Sequence, residues 1–256
     1  MLKRICIFLY GLASYAVFFA TFLYAVGFVG NFAVPRTLDS APSRGFGASL
    51  LIDLALLGLF AVQHSVMARP AFKRWFTRVV PEAAERSTYV LASSLALIAL
   101  FAGWQPLGGE VWTVTDAVAR GALWGAFVFG WLLVLVATFL INHFDLFGLR
   151  QVWLQLIGRP YTHLPFGTPV LYRYVRHPLY VGWFFAFWAT PTMTLSHLVF
   201  AIMTTAYILV AIQFEERDLI AHFGDRYRDY KARVPMLVPF TRRAYDRRRV
   251  TVRAGS

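Results

Sequence analysis

The sequence predicts an all-α fold: a polytopic membrane bundle of five to six transmembrane helices, ending in a helical hairpin flanked by cytoplasmic segments. Three observations predict it. Of the 256 residues 58% are apolar and only 15% charged, with a mean hydropathy of +0.56, whereas soluble domains run nearer half apolar and a quarter charged. The apolar residues gather into five long stretches. The 25 Lys and Arg outnumber the 13 Asp and Glu, for a net charge of +12, and all 25 cations fall outside those stretches. Nucleic-acid binders are basic but not this apolar, so no nucleic-acid partner is expected. An aromatic content of 17% excludes a disordered chain. The single cysteine, Cys6, excludes a disulfide framework and a Cys-rich metal site, and no metal is expected.

The elements follow in order. Residues 5–29 form the first apolar stretch, preceded by Lys3 and Arg4. It is longer than a signal peptide's apolar region and lacks a small-residue cleavage site, so it reads as a retained span. Residues 48–67 form the second, carrying Asp53, Gln63 and His64; 89–104 the third, short but uninterrupted; 122–141 the fourth. The fifth, 179–214, is broken near Pro191 and Ser196-His197. At roughly 1.5 Å per residue its length fits two short helices back to back across a ~30 Å hydrocarbon core. The loops at the other face read as plain connectors. With six crossings, 22 of the 25 cations fall on one side and three (Arg36, Arg44, Arg120) on the other. The positive-inside rule then puts both termini in the cytoplasm. Three regions result: N-terminal spans over 1–141, a site-bearing region with the hairpin over 142–240, and a basic tail over 241–256. The tail reads as a polybasic segment on anionic headgroups, or as a disordered end.

The sharpest local signal is Arg176-His177-Pro178-Leu179-Tyr180-Val181-Gly182. Pro178 disfavours helical angles at His177 and suits the first turn of a helix. Arg176 and His177 thus sit just outside a helix N-terminus, where partial positive charge favours an anion and Arg176 offers a bidentate donor. Gly182 permits close approach of a ligand or a neighbouring helix. The second signal, after the hairpin, is Glu215-Glu216 followed by Phe223-Gly224 and Tyr227, Tyr230. Gly224 reads as a helix C-cap. Two carboxylates at a membrane boundary cost free energy unless they are partnered. Either a ligand's hydroxyls or an internal pair with Arg176 would serve. Tyr227 has a flat face able to hold a cation or simply to pack.

Arg-His-Pro-x-Tyr-x-Gly, an apolar hairpin, Glu-Glu, then Phe-Gly-x-x-Tyr-x-x-Tyr resembles the isoprenylcysteine carboxyl methyltransferase-like membrane enzymes, over residues 172–239. Three further stretches, Phe28-Val29-Gly30-Asn31, Leu59 through Ser65, and Asn142 through Gln151, make the whole chain look closer to the bacterial methanethiol S-methyltransferases within that superfamily. The resemblance implies a bacterial inner-membrane location and an S-adenosylmethionine pocket at the cytoplasmic face. Its residues would be Arg176, His177, Pro178, Tyr180, Gly182, Glu215, Glu216 and Tyr227. It also implies methyl transfer to a small thiol, methanethiol, yielding dimethyl sulfide and S-adenosylhomocysteine.

Such a transfer needs alignment of two reactants and exclusion of water, and a thiolate nucleophile from a thiol mostly protonated at neutral pH. His64, near the end of the second span, and His143 with Asp145, just after the fourth, are the catalytic candidates. His64 bridging helices through a hydrogen bond is the structural reading. Two residues apart on a helix, His143 and Asp145 do not face each other. Arg150 and Gln151 are weaker cofactor candidates. Three other functions fit the same pattern: a methyltransferase for a larger lipid or prenyl thiol, a membrane factor of nitrogen-oxide respiration (NnrU-like), and a nicotinamide-dependent reductase. The last lacks a Gly-rich dinucleotide fingerprint.

Overall fold

The structure, a computed structural model, describes residues 1–241. The chain folds as α1 (Leu2–Gly30), α2 (Phe46–Ala68), α3 (Pro70–Phe76), α4 (Glu82–Gly103), β1 (Glu110–Thr113), α5 (Ala117–Ile141), α6 (His143–Leu146), α7 (Leu149–Leu156), α8 (Pro178–Trp188), β2 (Thr192–Thr194), α9 (Leu195–Phe223) and α10 (Asp225–Arg233). Five helices, α1, α2, α4, α5 and α9, are long and apolar enough to cross a membrane, as a polytopic helical membrane protein requires. The basic tail expected over 241–256 lies, from residue 242, outside the described residues.

Each long helix overlays an apolar stretch. The exception in detail is α4, which starts at Glu82, well ahead of residue 89. Glu82 and Glu85 in its first turn complement the positive end of the helix dipole, and hydropathy alone does not register them. The final hairpin is asymmetric. With 11 residues, α8 is about 16 Å long, only half of a hydrocarbon core. Pro191, which has no N–H to donate and disfavours helix at Thr190, prevents continuation. The chain continues through the extended residues 189–194, whose β2 pairs antiparallel with β1, Thr192 opposite Thr113 and Thr194 opposite Glu110. Non-helical backbone at membrane depth survives only where protein covers it. Here His197 Nε2 donates to the Phe187 carbonyl at 2.8 Å and satisfies the broken end of α8.

The loops at this distal end, which read as plain connectors, are in fact tied by polar contacts. Asp39 accepts from Asn31 Nδ2 at 2.6 Å and from Thr194 Oγ1. Ser196 Oγ accepts from the Leu107 amide at 2.7 Å, and Asp53 Oδ1 from the Gln105 amide at 2.8 Å. Beneath them lies the main core, where Phe28, Phe101, Trp104, Phe187 and Phe200 pack tilted or edge-to-face with centroids 4.7 to 6.4 Å apart. This core draws on residues from both sides of the 141/142 boundary.

α8 is seated by a glycine crossing. A Cβ on Gly182 would lie 2.8 Å from Gly130 O and from Val134 N, and one on Gly130 would lie 2.5 Å from Ala186 N. The two backbones touch, as small residues allow when packing rather than water exclusion drives helix association. We expect Gly182→Ala to push α8 off α5 at a cost of about 1–3 kcal/mol. Thermal unfolding of the detergent-solubilised protein checks this, and an unchanged midpoint would contradict it.

Candidate active site at the end of the last hairpin

The Pro178 turn behaves as its residues dictate. His177 is the N-cap of α8 at φ −127°, ψ 63°, and Pro178 opens the helix. The amides of Arg176 and His177 are occupied, donating to Pro235 O at 2.9 Å and Met236 O at 3.2 Å. The chain after α10 therefore lies alongside this turn.

Glu216, late on α9, is the centre of the arrangement. Its Oε1 accepts from Arg176 Nε at 2.6 Å and His177 Nε2 at 3.1 Å, and its Oε2 from Lys231 Nζ at 2.6 Å. The Arg176 and Glu216 side chains are each only 3% exposed. Arg176 Nη1 also donates to the carbonyls of Lys231 and Val234 at 3.2 and 2.5 Å. The internal pair raised as one of two alternatives is thus what forms, and it clamps α8, α9 and α10 together. Glu215 differs from its neighbour. Its side chain is 44% exposed, and Oε2 accepts from Tyr180 Oη at 2.9 Å.

Gly224, at φ 58° and ψ −132°, takes a backbone shape that only glycine adopts cheaply and turns the chain from α9 into α10. The buried face of α10 carries Tyr227 and Tyr230. Tyr230 Oη donates to Tyr172 O at 2.6 Å. Phe166, from the irregular segment between α7 and α8, covers this face, its ring 5.1 Å from Phe223, 5.9 Å from Tyr227 and 5.5 Å from Tyr230. Tyr227 is 2% exposed and its hydroxyl has no hydrogen-bond partner. Burial pushes the phenol well above its ordinary range, so it stays protonated, a donor as well as an acceptor. Such an orphan interacts electrostatically with Glu216, Arg176 and Glu215, and buried hydroxyls are normally satisfied.

His143 and Asp145 are not brought together. His143 is held inside the bundle by Tyr15 Oη on Nε2 and Thr138 Oγ1 on Nδ1, both at 2.8 Å, and stacks on Phe139 at 4.2 Å. Burial lowers its pKa below the usual histidine range, so it is neutral at pH 7. Asp145 pairs with Arg150 at 2.8 Å and accepts from Tyr161 Oη at 3.3 Å, while Arg150 also donates to Thr162 O at 2.9 Å. Asp145 and Arg150 thereby fold the start of the α7–α8 segment back onto α6. His64 lies between α2 and α4, with Tyr89 Oη 2.8 Å from Nε2 and Ser93 Oγ 3.1 Å from Nδ1.

The structure therefore assembles Arg176, His177, Pro178, Tyr180, Glu215, Glu216 and Tyr227 at one end of the bundle. Gly182 serves the α5 crossing instead, the second of its two readings. Lys231 was missed by sequence reasoning. Its signal was the spacing of Tyr227, Tyr230, Lys231 and Val234, one face of a helix. Among the described residues, no three His, Cys, Asp or Glu side chains are grouped to hold a metal ion.

Fold and site together define a polytopic helical membrane protein with a charged, aromatic-walled site at one end. The chain is 56% identical to a methanethiol S-methyltransferase of Crocosphaera subtropica, over 93% of this chain and 94% of that protein. It is 55% identical to one of Mycobacterium tuberculosis, over 94% and 99%. Nurim of Rattus norvegicus is 31% identical over 71% of this chain and 72% of its own. The chain belongs to the methanethiol S-methyltransferase family. No family model and no solved structure matches it.

Removing Glu216 strands a buried guanidinium. Glu216→Ala is expected to cost about 3–5 kcal/mol and to release α10, making Arg228 and Arg233 sensitive to trypsin. Protection equal to that of the unaltered protein would refute the clamp.

Proposed function

We propose that the chain is an integral enzyme of the bacterial inner membrane, both termini cytoplasmic, that methylates methanethiol with S-adenosylmethionine, giving dimethyl sulfide and S-adenosylhomocysteine. The observation that carries this reading is identity above 50%, across nearly the whole chain, to proteins named for that reaction. The 22-to-3 division of cations supports the orientation, and the basic face suits anionic headgroups.

The site residues fit the methyl donor. It is a cation with an amino-acid end, a ribose and a base, and it needs a carboxylate with open lone pairs, hydroxyl partners and aromatic surface. The half-exposed Glu215, the unpartnered Tyr227 hydroxyl and the Phe166–Tyr227–Tyr230 wall offer these. When bound, S-adenosylmethionine supplies an electrophilic methyl group on a sulfonium sulfur. Glu215, Tyr180 and Tyr227 are assigned to direct contact with it. Arg176, His177 and Glu216 are assigned to holding α8, α9 and α10 in register around it, since their polar atoms already meet one another. His64 is assigned to thiol deprotonation. His143 and Asp145 are assigned to the scaffold on account of their occupied partners.

Membranes containing the protein should convert methanethiol and S-adenosylmethionine to dimethyl sulfide, read by headspace gas chromatography against a vector control. A panel of larger alkyl and prenyl thiols in the same assay separates small-thiol from lipid-thiol specificity. No methylated product from any thiol would falsify the reading. Calorimetric binding of S-adenosylhomocysteine should be abolished in Arg176→Ala and Glu216→Ala and retained in His64→Ala, whose turnover should fall. Full turnover by His64→Ala at every pH would remove its assigned role.

A further inference from the structure

We propose that Tyr89 is the group that meets the thiol and relays its proton to His64. The proposal rests on the methyl-transfer reading above and deepens it by naming a further catalytic residue. It starts from the closure of His64. The imidazole is stacked on Phe60, with centroids 5.2 Å apart. Ser93 Oγ lies 3.1 Å from Nδ1, and Tyr89 Oη lies 2.8 Å from Nε2 and 3.1 Å from Nδ1. Neither ring nitrogen is open to a substrate. With Nδ1 donating to Ser93, Nε2 is the unprotonated nitrogen, and the Tyr89 hydroxyl, set over the ring and 2.8 Å from Nε2, is the donor nearest to it. Tyr89 then donates to His64 while its own oxygen keeps lone pairs for another donor.

Tyr180 interacts electrostatically with both Tyr89 and Tyr207, and its hydroxyl reaches Glu215 at 2.9 Å. Tyr207, on α9, lies 3.2 Å from Ser65 Oγ and packs edge-on to Phe60. Phenols from α4, α8 and α9 thus line one region beside α2, and that region runs from His64 to Glu215. The charged groups that act on Tyr89 there are Arg86 and Glu85 from α4 and Arg69 from the α2–α3 junction. The Arg86 guanidinium stands 5.3 Å over the Tyr89 ring. Arg69 is itself paired with Asp218 at 3.0 Å, so Arg86, over the ring, is the cation that would accompany a nascent thiolate.

The step balances without an outside reagent. The thiol S–H bond breaks toward Tyr89 Oη, and its electron pair stays on sulfur as the nucleophile. The proton Tyr89 already carries moves to His64 Nε2, leaving a neutral phenol and an imidazolium. After product leaves, that proton returns through Tyr89 to water.

The test is the pH–rate profile of Tyr89→Phe with methanethiol and S-adenosylmethionine, beside S-adenosylhomocysteine binding and the unfolding midpoint of the same protein. The phenyl ring keeps the packing and removes only the relay. Binding and midpoint should be retained, and the rate at pH 7 should fall by about 10²–10⁴. It should then climb roughly tenfold per pH unit as solution supplies thiolate, while the unaltered enzyme stays nearly flat. His64→Gln should give the same rising profile, and it decides the matter if Tyr89→Phe does not fold. A Tyr89→Phe enzyme with the unaltered rate, or one slowed equally at every pH, overturns the relay and leaves the methyltransferase reading standing. An unaltered protein inactive on every thiol overturns that reading instead. If Tyr89→Phe does not fold, a pH-independent His64→Gln enzyme overturns the relay.

Discussion

A carboxylate buried at a membrane boundary has to be neutralised, and Glu216 is neutralised from three directions at once. Arg176 and His177 approach from the start of α8, Lys231 from α10, and Glu216 itself projects from α9. Three consecutive helices therefore share one electrostatic centre. Desolvation makes such a centre costly to assemble and costlier to break, because any partner left alone is an uncompensated buried charge. The same cost gives it directional precision: α10 has one place to sit, and with it Tyr227, Tyr230 and the Phe166 cover. Glu215, one residue earlier, escapes this saturation and stays half exposed. Adjacent carboxylates thus take different tasks, one structural and one available.

The clamp is supported from below by a different kind of contact. Gly130 and Gly182 let α5 and α8 meet backbone to backbone, fixing the depth and tilt of the helix that presents Arg176 and His177. Dispersion packing seats the helix, and charge sets its end. Between the clamp and the aromatic core lies the layer of His64, Ser93, Tyr89 and Tyr207. There, hydroxyls replace the charged groups that the interior would penalise.

Composition and hydropathy made the architecture legible because each long helix in a bilayer must be apolar over its whole length. Arg176, His177, Glu215 and Glu216 were legible for a related reason: charged and turn-forming residues stand out against an apolar background. What was not legible depended on tertiary partners. The apolar run through 179–214 does not reveal that α8 stops halfway, since the extended residues 189–194 are as greasy as a helix. His143 reads as an ionisable group near Asp145, but Tyr15 and Thr138, one of them from α1, decide its state. Lys231 looks like any surface lysine until Glu216, on another helix, lies 2.6 Å away.

The edge-to-face aromatic core of the distal half carries a consequence for water and ions. Any continuous file of water through a bundle of apolar helices would let ions follow it. Phe28, Phe101, Trp104, Phe187 and Phe200 close the bundle beyond the polar layer. Ionisable side chains can then sit deep in the protein without forming a leak. The rings act as electrical insulation at that end of the bundle.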